Sequence, residues 1–332
     1  LRLKACRDKL IADKVDLESF NTKESANDVL DVMTALEIKQ WNILSTGFGS
    51  RTALALMKMK PETIRSAVLN SAAPLFPVAE TRAANNERVF KRFFYDCGVD
   101  ASCRRAFPNL NDVYLQLIRT LPNDSDQDGV RADVVVKVIA SLLSNSEALS
   151  QLPAKIFELA SLNAKGELDR AAFAKIIGPT VTQKSGADIG YFCFDVGANN
   201  NPKKSDMEKK PYYYTENQHA ICQVWGKGDA IAIFNDSEYR PIPVLVLTGE
   251  YDTKVPSQWS RDVAKALPNA KLFQFKGVGN DVIASVDCAL FMTSAFFDRP
   301  DHQPEDVCMM ALKPPSFIVP KRELVQKVTQ LN

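Results

Sequence analysis

Apolar positions change their spacing twice along this chain, and the changes divide it into three stretches. In the first, Ala26, Val29, Leu30, Met33 and Leu36 recur at helical intervals, which predicts a helix with one buried face and Thr22 as its N-cap. The run WNILS at Trp41–Ser45 predicts a short buried strand, the segment Ser50–Lys60 an amphipathic helix stopped by Pro61, and IRSAVLNSA at Ile64–Ala72 a second buried strand. Strand, helix and strand in that order make a right-handed crossover in a parallel sheet.

Between residues 81 and 234 the strand-like runs disappear and helical pieces take over: Ala83–Cys97, Asn111–Leu121, Arg131–Leu143 and Leu152–Leu162. A Pro-, Asn- and Lys-rich stretch at Gly197–Pro211 is too polar for a core. The α/β pattern then resumes with a strand in IPVLVLTG, a helix over Ser257–Leu267, a strand in AKLFQFKG and a helix over Asp281–Phe297. The expected organisation is a core in two parts, residues 1–80 and 235–332, sharing one sheet, with residues 81–234 inserted as a helical cap. Such a cap lies over the carboxyl edge of the strands, where open α/β sheets bind ligands.

With 332 residues and 45% apolar content the chain can bury a large core. A net charge of +1 with dispersed basic residues argues against nucleic acid or an anionic membrane as partner. Apolar runs such as PVLVLTG are too short to span a bilayer. The first residue is Leu1 and no signal-peptide pattern follows it, so a processed or truncated product is expected. Seven cysteines include two close spacings, Cys97 with Cys103 and Cys288 with Cys308, while Cys193 and Cys222 flank a loop-rich segment and Cys6 is left over. Three disulfides would place the protein in an oxidising compartment, periplasmic or secreted; the alternative is a set of buried thiols. No C-x-x-C pair or His/Cys cluster suggests a metal, and no cofactor is expected.

The segment STGFGSR carries the candidate chemistry. A nucleophile elbow is a tight strand-to-helix turn that needs small residues two before and two after its apex, and Ser45 and Gly49 supply them. The apex, where G-x-S-x-G has serine, is Gly47. Glycine relieves the strain of that backbone position and removes the nucleophile. The N–H groups of Phe48 and Gly49 at the helix start remain available to an anion. Ser45, Thr46 and Ser50, beside the apex, are expected to pack and to cap the helix.

The stretches WNILSTGFGSRTALALMKMKPETIRSAVLNSAAP and PVLVLTGEYDTKVPSQWSRDVAKALPNAKLFQFKGVGN, with the cysteine-bearing segments between and after them, resemble secreted bacterial α/β-hydrolases of the tripeptidyl-aminopeptidase and proline-iminopeptidase-like group, over nearly the whole chain. The resemblance implies an α/β-hydrolase fold with an inserted helical cap, the group's cysteine framework (Cys97–Cys103, Cys193–Cys222, Cys288–Cys308) and a catalytic acid in a G-x-x-D turn, here Gly249 and Asp252. It puts the general base at the last position of GVGN, where Asn280 stands in place of histidine. Asparagine cannot accept and return a proton near neutral pH, so two of the three triad positions are changed. The group's oxyanion loop and first strands have no counterpart from Leu1 onward, which leaves a sheet edge to be covered by an N-terminal segment or a partner chain, and a missing partner for Cys6. The resemblance also matches Asp195 to the group's cap acid, implying that it holds a peptide's amino terminus; the alternative is a plain surface aspartate.

His219, in the cap, and His302, in a polar segment, are the chain's two histidines, and neither follows a core strand. Asp124, Asp126, Asp128 and Gly129 imitate half of a calcium loop whose twelfth position is Val135 instead of glutamate, so a solvated turn is expected. Tyr212, Tyr213 and Tyr214 either line a cleft or cover apolar surface. The expectation is a non-catalytic protein that holds a peptide or small ligand between core and cap. An enzyme with an unconventional triad and a scaffold subunit are the alternatives.

Overall fold

The computed structural model describes residues 2–76, 79–122, 130–164, 168–177, 185–195, 211–212, 218–234 and 238–319. In chain order the elements are α1 (Arg2–Ala12), α2 (Thr22–Ala35), β1 (Trp41–Thr46), α3 (Gly49–Met59) and β2 (Ile64–Asn70). The helical block follows: α4 (Ala79–Val99), α5 (Ala101–Ala106), α6 (Leu110–Thr120), α7 (Ala132–Leu143), α8 (Ser146–Ala164), α9 (Arg170–Ile177), α10 (Gly186–Asp195) and α11 (Gln218–Trp225). The chain then returns through β3 (Val244–Gly249), α12 (Ser257–Ala266), β4 (Ala270–Phe275), α13 (Val282–Ser285) and α14 (Asp287–Asp298).

The four strands form one parallel sheet in the order β1-β2-β3-β4, so both halves of the α/β pattern share a sheet and the whole helical block hangs between two adjacent strands. Side chains alternate across each strand. Ile43, Leu69, Val244 and Val246 face α3 and α12, where Leu54, Met57 and Val263 meet them. Val68, Leu245, Leu247, Phe273 and Phe275 face α14 through Ala289, Met292 and Phe296. Burial on both faces is what a parallel sheet requires. At the edge strand β1 that burial is incomplete: Leu44, in register with Val68, is 56% exposed.

The helical block has a core of its own, built around Phe90, Phe93, Tyr114, Val135, Ile139, Leu152 and Ile156. Its aromatic part includes Tyr212, which stacks on Tyr114 with ring centroids 5.8 Å apart. A smaller cluster joins Leu17, Phe194 and Trp225, so the first residues of the chain pack against α10 and α11 instead of against the sheet. Three disulfides, Cys97–Cys103, Cys193–Cys222 and Cys288–Cys308, close as the cysteine framework implied, and Cys6 is free and exposed. They are compatible with a periplasmic or extracellular setting.

Local differences from the sequence reading have physical causes. The cap of α2 is Asn21, whose side chain accepts from Glu24 N–H at 2.9 Å; Thr22 is engaged elsewhere. The helix expected over Asp281–Phe297 is broken at Val286, an extended residue, and the short α13 before it is capped by Asp281 in the left-handed region. The helix expected from Leu152 begins six residues earlier, at Ser146, so Pro153 lies inside α8.

Candidate active site

The elbow is present. Gly47 has φ +58°, its N–H donates to Asn70 O at 2.8 Å, and its own carbonyl accepts from Ser50 N–H at 3.1 Å. A Cβ placed on Gly47 would meet nothing within 4 Å, so backbone conformation, not lack of room, is what favours glycine there. At Gly49 a Cβ would lie 3.8 Å from that of Ser45, an ordinary contact, so a single methyl would fit. Phe48 begins α3 without any side-chain cap, which corrects the capping expected of the neighbouring serines and threonine. Ser45 Oγ reaches Val68 O at 3.5 Å, and Ser50 Oγ is buried without a partner. The positive end of α3 is therefore unclaimed by any side chain.

Asp252 sits three residues beyond β3 and is fully buried. Its Oδ1 accepts the N–H groups of Lys254 at 2.9 Å and Val255 at 2.8 Å, and its Oδ2 accepts Asn280 Nδ2 at 2.9 Å. Burial pushes the carboxyl above its ordinary range, against the pull of Val255 N–H and the Asn280 amide. The glycines of the two turns exist because the turns touch. A Cβ on Gly249 would lie 2.0 Å from Gly279 O, and one on Gly279 would lie 2.0 Å from Ser144 O.

Sequence reading missed the residues that hold these turns together. Asn70, last in β2, gives its carbonyl to Gly47 and its Nδ2 to Thr46 Oγ1 at 3.2 Å and Asp281 Oδ1 at 2.7 Å; its Oδ1 accepts Val282 N–H at 3.0 Å. One buried amide thus ties the elbow to the loop that carries Asn280. Ser144, at the end of α7, gives its carbonyl to Asn280 N–H at 2.8 Å and its Oγ to Thr253 N–H at 2.7 Å. From α4, Asn85 Nδ2 donates to Asp252 O at 2.7 Å, Arg88 to Glu250 O at 2.8 Å, and Asp96 accepts Tyr251 OH at 2.5 Å. The i, i+3, i+11 spacing of these three puts them on one helix face, but an alternation of charge alone does not say what such a face grips.

Asp195 has other employment than an amine. It is fully buried; Oδ1 accepts Thr22 N–H at 2.7 Å, and Oδ2 accepts Thr22 Oγ1 at 2.5 Å and Arg51 Nη1 at 3.2 Å. The carboxylate caps α2 and pairs with a buried arginine of the elbow helix, leaving no face for an incoming ligand; burial raises its pKa and Arg51 opposes the rise. His302 is exposed, with its N–H on Arg299 O at 3.1 Å. The side chain of His219 and residues Asp124, Asp126, Asp128, Gly129, Tyr213 and Tyr214 lie outside the described residues. Among the described residues no group of three or more His, Cys, Asp or Glu is placed to hold a metal ion. None of the described helices is long and apolar enough to cross a membrane.

The elbow, the acid turn one strand away and the helices inserted above them define an α/β-hydrolase fold. Residues 210–308, which include Asp252 and Asn280, match the family described as TAP-like protein. Comparison with curated proteins returns no match. Among solved structures the chain is similar to Est816, titled an N-acyl homoserine lactone degrading enzyme, at 13% identity and a TM-score of 0.36 over 83% of this chain and 74% of that one. It is likewise similar to a bromoperoxidase from Bacillus anthracis (13%, TM-score 0.38, 86% and 76% covered). An α/β-hydrolase fold protein from Chitinophaga pinensis gives 14%, a TM-score of 0.37, and 84% and 72% covered. The assignment of fold rests on the strand order and the turns themselves.

Proposed function

We propose that this chain is a catalytically degenerate α/β-hydrolase, a pseudoenzyme that holds a peptide or small ligand between the strand ends and the helical cap of residues 81–234 without covalent turnover. The observation that carries this reading is the Asn280 to Asp252 hydrogen bond at 2.9 Å. The acid holds an amide, which cannot take up and return a proton near neutral pH, beside an elbow whose apex has no hydroxyl. What survives at the elbow is the unclaimed start of α3 at Phe48 and Gly49, which suits an anionic group without requiring chemistry. The disulfides support a place of action outside the cytosol, periplasmic or secreted.

Turnover of p-nitrophenyl esters and aminoacyl p-nitroanilides tests the reading. No protein-dependent rate is expected, and the Gly47→Ser/Asn280→His variant is the comparison. A rate in the unaltered protein that disappears in Asp252→Ala would contradict it.

A second reading, a scaffold subunit, draws on one separate observation. Strand β1 pairs only with β2 among the described strands, and its Leu44 is 56% exposed while Val68 and Leu245, in register with it on the next two strands, are fully buried. An N-terminal segment or a partner chain would cover that edge.

A further inference from the structure

The side chain of Asn280 has a direction that Asp252 imposes. An ionised carboxylate can only accept, so the end of the amide that meets Asp252 Oδ2 at 2.9 Å is Nδ2, and the planar group turns its Oδ1 the other way. The loop beneath it is pinned on both sides. Asn280 N–H donates to Ser144 O at 2.8 Å, and the next residue, Asp281, in the left-handed region at φ +57°, accepts Asn70 Nδ2 on its Oδ1 at 2.7 Å. No bond among the described residues reaches Asn280 Oδ1, and the residue is half-buried, not enclosed.

Charge around that oxygen is one-sided. Neither Asp252 nor Asp281 is in an ion pair among the described residues, and Arg51, the arginine of the elbow helix, is spent on Asp195. An amide with a carboxylate behind its Nδ2 is polarised so that the outward oxygen becomes a stronger acceptor. The elbow lies alongside, because Asn70 holds Gly47 N–H with its carbonyl and Asp281 with its amide. There Phe48 is 50% exposed and Phe76 43%. Arg51 joins them: its guanidinium carbon is 5.3 Å from the Phe48 ring centroid, and its Nη2 donates to Leu75 O at 2.5 Å. Two exposed phenylalanines on one buried arginine give an apolar body something to lie on.

We infer that Asn280 Oδ1 is a specificity-determining acceptor for a protonated primary amine carried on an apolar or aromatic body, with Asp252 as the positioning residue that sets the direction of the amide. The inference deepens the binding reading above and rests on it: it names the group that the ligand turns toward Asn280, while the N–H groups of Phe48 and Gly49 remain for an acceptor on the same ligand. A hydroxyl donates without charge and is a weaker substitute; an ether has nothing to donate.

Titration of the full chain with benzylamine, benzyl alcohol and benzyl methyl ether at neutral pH, followed in its nitrogen-15 spectrum, tests this. Benzylamine is expected to bind tightest and the ether weakest, about tenfold or more apart, a difference of about 1.4 kcal/mol. Asn280→Leu keeps the size and removes the acceptor, and is expected to bring benzylamine down to the level of the ether. In Asp252→Asn the new amide can donate to Asn280 Oδ1, which turns Nδ2 outward, so the preference is expected to invert in favour of the ether. A role in folding alone would not invert it, and thermal melts of both variants show whether they are folded. Equal binding of amine and ether by the parent, no binding of benzylamine, or an unchanged preference in either folded variant would overturn the assignment. The comparison of probes on the parent stands even if both variants unfold. Those outcomes leave the non-catalytic reading intact, because that one fails only on turnover or covalent labelling.

Discussion

Asn280 Nδ2 lies 2.9 Å from Oδ2 of Asp252, and the bond runs from an amide to a fully buried carboxylate. In a working triad the acid fixes the tautomer of an imidazole and stabilises the cation it becomes. On the proposed reading the orienting half of that arrangement persists, supported by Lys254 and Val255 N–H, and an amide stands in place of the proton carrier.

Gly47 offers a test of how much of the elbow is backbone conformation alone. With open space at its Cβ and φ +58°, Gly47→Ala should cost about 1–2 kcal/mol through the left-handed conformation and nothing through collision. Gly47→Asn, which tolerates that region better, should cost less. Urea unfolding of the two variants checks the order; a larger loss for Asn would mean that steric crowding governs the site.

The raised Asp252 carboxyl gives a pH signature. A group whose folded pKa lies above its unfolded value of about 3.9 contributes stability that is fully present below that value and is lost as pH rises through the folded pKa. Asp252→Asn can still accept from Lys254 and Val255 N–H through its carbonyl, and Asn280 can turn its own oxygen to the new amide. The melting temperature of the variant relative to the parent should therefore rise between pH 4 and pH 7. A relative fall would show that the hydrogen bonds outweigh burial at this carboxylate.

The buried pair between Arg51 (1% exposed) and Asp195 (0%) should respond asymmetrically. Asp195→Asn keeps the bonds to Thr22 but strands a guanidinium that cannot shed its proton, at a cost of about 3–5 kcal/mol. Arg51→Met leaves a carboxyl already biased toward its neutral form by burial, so the loss should be smaller and should shrink further as pH falls toward 4. Denaturant titrations at pH 4 and pH 7 measure both, and equal losses at both pH values would contradict the assignment.

Much of the core was legible because its strands are continuous apolar runs and its helices keep one apolar face. VLVLTG and AKLFQF fall where the runs predict, and the helical block begins where the runs stop. The acid turn and the turn before Asn280 left a different signal: small residues at fixed offsets report backbones that touch, as Gly249 and Gly279 do, whereas Gly47 reports a left-handed φ with open space at its Cβ. Asn70, Asn85 and Ser144 were not legible. Each is a common polar residue whose importance comes from a partner more than 80 positions away, such as Asn70 with Asp281 or Asn85 with Asp252, and no local pattern encodes that distance. An acid in a cap looks the same in sequence whether it faces a crevice or, as Asp195 does, Arg51.

Intact-mass analysis after incubation with a fluorophosphonate probe tests the absence of covalent chemistry most directly. The account predicts an unmodified mass for the unaltered protein, with Ser45 and Ser50 both unlabelled, because the group that Asp252 orients is the amide of Asn280 and not an imidazole. A stoichiometric adduct on either of those serines, abolished by Asp252→Ala, would contradict it.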